Sequence, residues 1–125
     1  MTLWLDTHTF LWWLSDPANL SVDARVAIED PANQVLVSTV VLWEIAIKRT
    51  IGKLSTLVNL EAAVPGVGFI RLPISVPHIS ATETLPLHHR DPFDRMLAAQ
   101  AQVENATLVT RDPSLFSYSV SIIKA

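Results

Sequence analysis

Apolar runs of strand length alternate with stretches of helical character along the chain, and that alternation restricts the possible folds more than any other feature. TLWLD at 2–6, QVLVS at 34–38, GFIRLP at 68–73, ATLVT at 106–110 and SVSIIKA at 119–125 have the length and composition of buried strands. Between them the spacing predicts helices. THTFLWWLSDP is stopped before Pro17, and SVDARVAIEDP opens on Ser21 as N-cap with Val22, Val26 and Ile28 at helical spacing. TVVLWEIAIKRTIG follows QVLVS at once, carries Lys48 and Arg49 in its last turns and stops at Gly52. Helical patterns also cover TLVNLEAAV at 56–64, PHISATETL at 77–85 and DPFDRMLAAQAQVEN at 91–105, with Pro92 in a first turn, while DPSLF reads as a turn or short helix. Strands separated by helices pair in parallel, so the expectation is a three-layer α/β domain over residues 1–125, with a mainly parallel central sheet flanked by helices.

Within this frame one residue stands out. Glu44 is the only acid between Asp30 and Glu61, and it lies inside the apolar run VVLWEIAIK. A carboxylate there must reach water, find a partner or meet a cation, because burying it alone costs about several kcal/mol. Open α/β sheets bind ligands beyond the C-terminal ends of their strands. Asp6 ends the first strand, Asp112 lies two residues past ATLVT, Asp94 sits in the first turn of the helix leading into ATLVT, and Glu44 is on the helix leaving QVLVS. One sheet edge could therefore collect four carboxylates, whose mutual repulsion a hard divalent cation such as Mg²⁺ or Mn²⁺ would relieve.

Each acid has a plainer reading too. Asp-Pro occurs at 16–17, 30–31, 91–92 and 112–113, and such pairs mark turns and helix starts. Asp112 could be a cap, Asp6 a strand-end turn residue, and Asp94 a capping-box acid three residues after Asp91. Asp91 is better explained as the N-cap before Pro92 than as a ligand. Glu44 could pair with Lys48 four residues on, but that reading requires an exposed face, and Val40, Val41 and Ile47 share it.

The remaining candidates are fewer. With no cysteine there is neither a disulfide framework nor a thiolate metal site, which fits a cytoplasmic protein. The N-terminal stretch has an acid at residue 6 and no basic region, so it does not read as a signal peptide, and no run suits a membrane span. The net charge of −3 leaves room for a local basic patch. His8, His78, His88 and His89 lack zinc-site spacing, and His88 and His89 read as loop residues. The three glycines form no phosphate-binding loop, and no serine has a hydrolase elbow. The tryptophans read as core and interface residues, with one of Trp12 and Trp13 a candidate for a subunit contact.

The order of these pieces resembles that of PIN domains, specifically the small toxin ribonucleases of the VapC type. LDTHTFLWWL resembles the family's opening motif with Asp6, STVVLWEIAIK the helix bearing Glu44, HRDPFDRMLAAQA the helix whose acid is placed at Asp94, and TLVTRDPSLFSY the last acidic motif with Asp112. The resemblance spans essentially the whole chain. It implies Mg²⁺ or Mn²⁺ held by Asp6, Glu44, Asp94 and Asp112, hydrolysis of RNA phosphodiesters, a homodimer, and neutralisation by a cognate antitoxin in a type II toxin–antitoxin system. Thr7, Ser38 and Thr110 are near enough to orient the acids or to cap helices, and Lys48, Arg49, Lys53, Arg90, Arg95 and Arg111 could contact RNA phosphates. Two alternatives differ in class. A non-catalytic module on the same fold is usually marked by loss of an acid, and none is lost. A phosphoryl-transfer domain with a strand-end nucleophile would want an acid where His8 stands, or a late lysine beyond a strand, where only Lys124 offers itself.

Overall fold

The structure is a computed structural model that describes residues 1–87 and 91–125, so the loop reading of His88 and His89, like Arg90, lies outside the described residues. Five apolar segments form one parallel sheet: β1 (Thr2–Leu5), β2 (Gln34–Ser38), β3 (Ile70–Leu72), β4 (Thr107–Thr110) and β5 (Ser121–Lys124), in the order β3-β2-β1-β4-β5. β1 is central. It pairs with β2 through Thr2↔Gln34 to Leu5↔Val37 and with β4 through Leu3↔Thr107 to Leu5↔Val109. Consecutive residues Leu3, Trp4 and Leu5 are fully buried, as are Leu108 and Val109, which is the signature of strands covered on both faces.

The covering helices are α1 (Thr7–Ser15), α2 (Val22–Glu29), α3 (Thr39–Thr50), α4 (Ala63–Gly66), α5 (Val76–Thr84) and α6 (Pro92–Val103). Most start on a side chain the sequence supplies. Asp6 caps α1 through the Thr9 N–H, Ser21 caps α2 through Ala24, Ser38 caps α3 through Val40, and Asp91 caps α6 through Phe93 and Asp94. Gly52, at φ +75°, turns the chain after α3 in a conformation that other residues rarely adopt. The inward stripe of α6, Leu97, Ala98 and Ala101, is buried as its i, i+3, i+4, i+7 spacing requires.

Two expectations are corrected. The helix over 56–64 is absent: only Ala63–Gly66 is helical. Asn59 Oδ1 accepts the Glu61 and Ala62 N–H groups, a local turn that competes with a helix, and Pro65 and Gly66 follow too soon for a long one. In α2 the residues facing the core are Ala24 and Ile28, whereas Val22 and Val26 are exposed. Among the described residues no helix is long and apolar enough to cross a membrane.

Candidate active site

The strand order reverses at β1: the chain leaves it for β2 and β3 on one side and returns to β4 and β5 on the other. A crevice opens beyond the C-terminal ends of strands at such a switch point. Both strands that frame it here end in acid-bearing turns, β1 at Asp6 and β4 at Thr110 with Asp112 two residues on. The cleft there has a volume of about 250 Å³ and is lined by Asp6, Thr7, His8, Glu44, Lys48, Asp91, Asp94 and Asp112. All four acids singled out in the sequence therefore meet, although 106 positions separate the first from the last. Roomier hollows near Gln102 and Ser121 and near Asp30 and Ile70 gather no comparable set of charged groups.

Each carboxylate is held by bonds that its own neighbourhood supplies. Asp6 is 6% exposed; its Oδ1 accepts the Thr9 N–H at 2.9 Å, and its Oδ2 accepts the Thr110 hydroxyl. The same Thr110 oxygen accepts the Asp112 N–H at 3.1 Å, so one hydroxyl ties the ends of two acidic motifs together. Asp112 Oδ1 takes the Ser114 N–H at 3.0 Å and the Ser114 hydroxyl at 2.8 Å, capping the short helix Pro113–Leu115. Asp91 Oδ1 takes the Phe93 N–H at 2.8 Å and the Asp94 N–H at 3.2 Å. The capping readings of Asp91 and Asp112 are thus correct, Asp6, read as a strand-end turn residue, is a cap as well, and all three also line the cleft. A cap uses the side chain's inner lone pairs; it does not remove the charge.

Glu44 corrects the argument that set pairing against burial. It is 7% exposed, and it is also paired: Oε1 accepts the Thr7 hydroxyl at 2.6 Å, while Oε2 lies 2.6 Å from Lys48 Nζ. An exposed face was not needed, because the long lysine stem lets the ammonium reach down from the rim. The hydrogen bond to Glu44 holds the Lys48 pKa above its ordinary value against the opposing effect of partial burial, and the charges of Glu44, Asp91 and Asp94 act in the same raising direction. Of the three hydroxyls expected near the acids, Thr7 and Thr110 bind carboxylates and Ser38 caps α3 instead.

The basic residues are sorted just as plainly. Arg49 donates to the Val58 carbonyl at 2.7 Å and to the Thr56 carbonyl, pinning the irregular segment after α3. Arg95 donates to the carbonyls of Thr82, Leu85 and Pro86 at the end of α5. Arg111 donates to the carbonyls of Asn19 and Ala125 and lies over the Trp12 ring, its guanidinium carbon 4.2 Å from the centroid. These three arginines serve the fold. Lys53 is exposed, and its side chain has no hydrogen bond or ion pair among the described residues.

Two further residues line the cleft: His8, which the sequence marked only as lacking zinc-site spacing and as standing where a phosphatase would want an acid, and Asp91, which it explained as a helix N-cap. Apart from the His8 imidazole the donor set is hard oxygen, carboxylates with hydroxyls behind them, which suits Mg²⁺ or Mn²⁺ rather than a softer metal. Among the described residues no three carboxylates or imidazoles stand close enough to grip one ion as they are arranged; the Lys48 ammonium stands at Glu44.

This geometry has relatives. The chain is 34% identical to Ribonuclease VapC22 of Mycobacterium tuberculosis, over 94% of its own length and 92% of that protein's. Its fold superposes on the crystal structure of VapBC2 from Rickettsia felis bound to a promoter DNA fragment with a TM-score of 0.74 at 17% identity, covering 98% of each chain. It also superposes on VapBC-5 of M. tuberculosis, a member of the VapBC family of toxin–antitoxin systems, with a TM-score of 0.65 at 21% identity, covering 99% of this chain and 98% of that one. The profile of the PIN domain matches residues 3–119, a span that includes β2, β3, β4 and every acid on the cleft, and the chain belongs to the PIN domain family.

Proposed function

We propose that this chain is a divalent-metal-dependent endoribonuclease, a single PIN domain over residues 1–125, and the toxin half of a type II toxin–antitoxin pair. The observation that carries this reading is the meeting of Asp6, Glu44, Asp94 and Asp112 on one cleft at the switch point of the sheet. The similarity to a ribonuclease of M. tuberculosis supports the nuclease activity, and the likeness in fold to toxin–antitoxin complexes is consistent with the biological role.

Asp6, Glu44, Asp94 and Asp112 are the residues that would hold Mg²⁺ or Mn²⁺. When bound, such an ion supplies charge neutralisation at the scissile phosphate and a water of lowered pKa. The chain's own contribution is positional. Thr110 and the Thr9 N–H fix Asp6, Thr7 fixes one oxygen of Glu44, and Ser114 fixes Asp112, so three of the acids are oriented by the chain's own hydrogen bonds before a cation draws them together. No side-chain nucleophile is required. RNA is the substrate, Lys53 is an exposed basic residue available for its phosphates, and a cognate antitoxin and a second copy of the chain are the protein partners. The absence of cysteine suits the cytoplasm.

The test is cleavage of RNA by the purified protein. Activity should appear with Mg²⁺ or Mn²⁺, vanish with a chelator and return when metal is restored. Asp6→Asn should retain the α1 cap and lose the activity, since Asn caps nearly as well as Asp. Equal cleavage by the Asn variant, or cleavage indifferent to chelation, would remove the metal nuclease reading. Growth unaffected by overproduction without the antitoxin would remove the toxin role.

A further inference from the structure

Lys48 is a cation on the cleft whose position the proposed chemistry leaves unexplained. It lies one turn beyond Glu44 on α3, and its ammonium is 2.6 Å from the Glu44 oxygen that Thr7 does not use. Asp91 and Asp94, from α6 across the cleft, attract the same ammonium. The side chain is 36% exposed, so its stem runs along the rim and only its head is drawn in among the acids. A cation thus already stands at Glu44, and it is one that the chain supplies.

We infer that Lys48 is a built-in counter-ion, occupying the Glu44 side of the metal position in the metal-free protein and leaving it for solvent when a divalent ion binds. The inference rests on the metal-dependent reading above. A divalent ion at Glu44 Oε2 and an ammonium on that same oxygen would be two cations a few ångströms apart, and their repulsion expels the weaker, mobile one. Lysine suits the exchange: its charge is compact, its four-carbon stem is flexible, and its head rehydrates readily. Arginine 49, one residue on, shows the contrast, because its fork is fixed on two carbonyls. The consequence is a site in which the charge of Glu44 is balanced without metal, so that metal affinity reflects an exchange of cations rather than simple addition.

The experiment is Mn²⁺ binding by calorimetry, with melting curves, for wild type, Lys48→Met and Lys48→Arg. Lys48→Met keeps most of the stem and removes the charge. It should melt lower than wild type without metal, bind Mn²⁺ about tenfold more tightly, the scale of one charge-assisted hydrogen bond, and gain more from Mn²⁺ in melting temperature. Lys48→Arg retains a cation at this position and should bind Mn²⁺ closer to wild type than Lys48→Met does. If Lys48→Met does not fold without metal, the ¹⁵Nζ signal of Lys48 in the wild-type protein serves instead: protected by Glu44 in the metal-free state, it should be lost to exchange with water as Mg²⁺ saturates the site. Wild-type protein that binds Mn²⁺, with Lys48→Met of equal or weaker affinity or with a ¹⁵Nζ signal unchanged at saturating Mg²⁺, would overturn the inference alone. Wild-type protein that takes up no divalent ion would overturn the metal reading and the inference with it.

Discussion

The charge of Glu44 and the shape of Glu44 can be separated at a single atom. Glu44→Gln keeps the length of the side chain, its helix propensity and an oxygen able to accept the Thr7 hydroxyl, but it cannot neutralise a cation. RNA cleavage should therefore fall to background while the protein stays folded, with a stability change of about 1–3 kcal/mol from weakening the bond to Lys48. Cleavage at the wild-type rate would make Glu44 a structural residue. The two acids of DPFD divide more finely. Asp91 spends one oxygen on the N–H groups of Phe93 and Asp94, a task Asn can perform, so Asp91→Asn should keep most activity and cost at most about 1 kcal/mol. Asp94 begins the inward stripe of α6 and adds its charge to the cleft, so Asp94→Asn should lose nearly all metal-dependent cleavage and melt at or above wild type by relieving repulsion among the acids. Both acids line the cleft, which makes the comparison decisive: an inactive Asp91→Asn beside an active Asp94→Asn would exchange their roles.

At the scale of elements, Arg49, Arg95 and Arg111 each hold backbone carbonyls of another segment. Arg49→Met should release the Thr56 and Val58 carbonyls, lower the melting temperature by several degrees, and leave the salt dependence of RNA binding unchanged. Lys53→Ala should do the reverse, making the slope of log affinity against log salt shallower by about 0.7, one phosphate contact to a single strand. Binding by both variants would be measured in the Asp6→Asn background, and a shallower slope for Arg49→Met would return that arginine to the RNA interface. The segment that Arg49 holds is also where the sequence is least readable. Every strand, the helices α1, α2, α3, α5 and α6, and the convergence of the acids follow from period and from the positions of Ser21, Ser38, Asp91 and Pro92, because those signals act on their own neighbours. The run 56–62 has apolar residues at suggestive spacing, yet Leu57 is wholly exposed and Asn59 turns the chain on itself. What it obeys is a long side chain from another element, which no local pattern reports. The Glu44–Lys48 pair is named by its spacing but set aside for want of an exposed face, because only the walls built by α1 and α6 decide that it forms at the edge of a buried cleft. The roles of Arg95 and Arg111 depend in the same way on carbonyls 9 to 92 residues distant.

At the scale of the whole molecule, one helix presents the cleft along one side and an apolar strip along the next. Trp43 and Ile47 on α3 and its C-cap Ile51 follow one another at i, i+4 and i+8, next to Glu44 and Lys48 but turned by about 100° around the axis. Trp43 is 59% exposed and packs T-shaped on Phe93 of α6 with ring centroids 5.2 Å apart, so the strip reaches the element that carries Asp94. A hollow of about 230 Å³ lies between Trp43, Ala46, Ile47, Thr50 and Ile51. The tryptophan pair 12–13, by contrast, is largely used within the chain, Trp12 under Arg111 and Trp13 against Phe69, so Trp43 is the better candidate for a contact between copies. Burying such a ring contributes about 1.5–3 kcal/mol on each side of a symmetric interface. Light scattering of the wild-type protein should give twice the 13.8 kDa chain mass at micromolar concentration. Trp43→Glu should shift it to the monomer mass with a monomer that still melts cooperatively, because the side chain it replaces supports little of the core. Its indole is also a reporter, since emission in the dimer should be blue-shifted relative to emission on dilution to the monomer. A Trp43→Glu protein that remains dimeric would move the interface to another face, and a wild-type protein of 13.8 kDa throughout the micromolar range would end the dimer prediction itself.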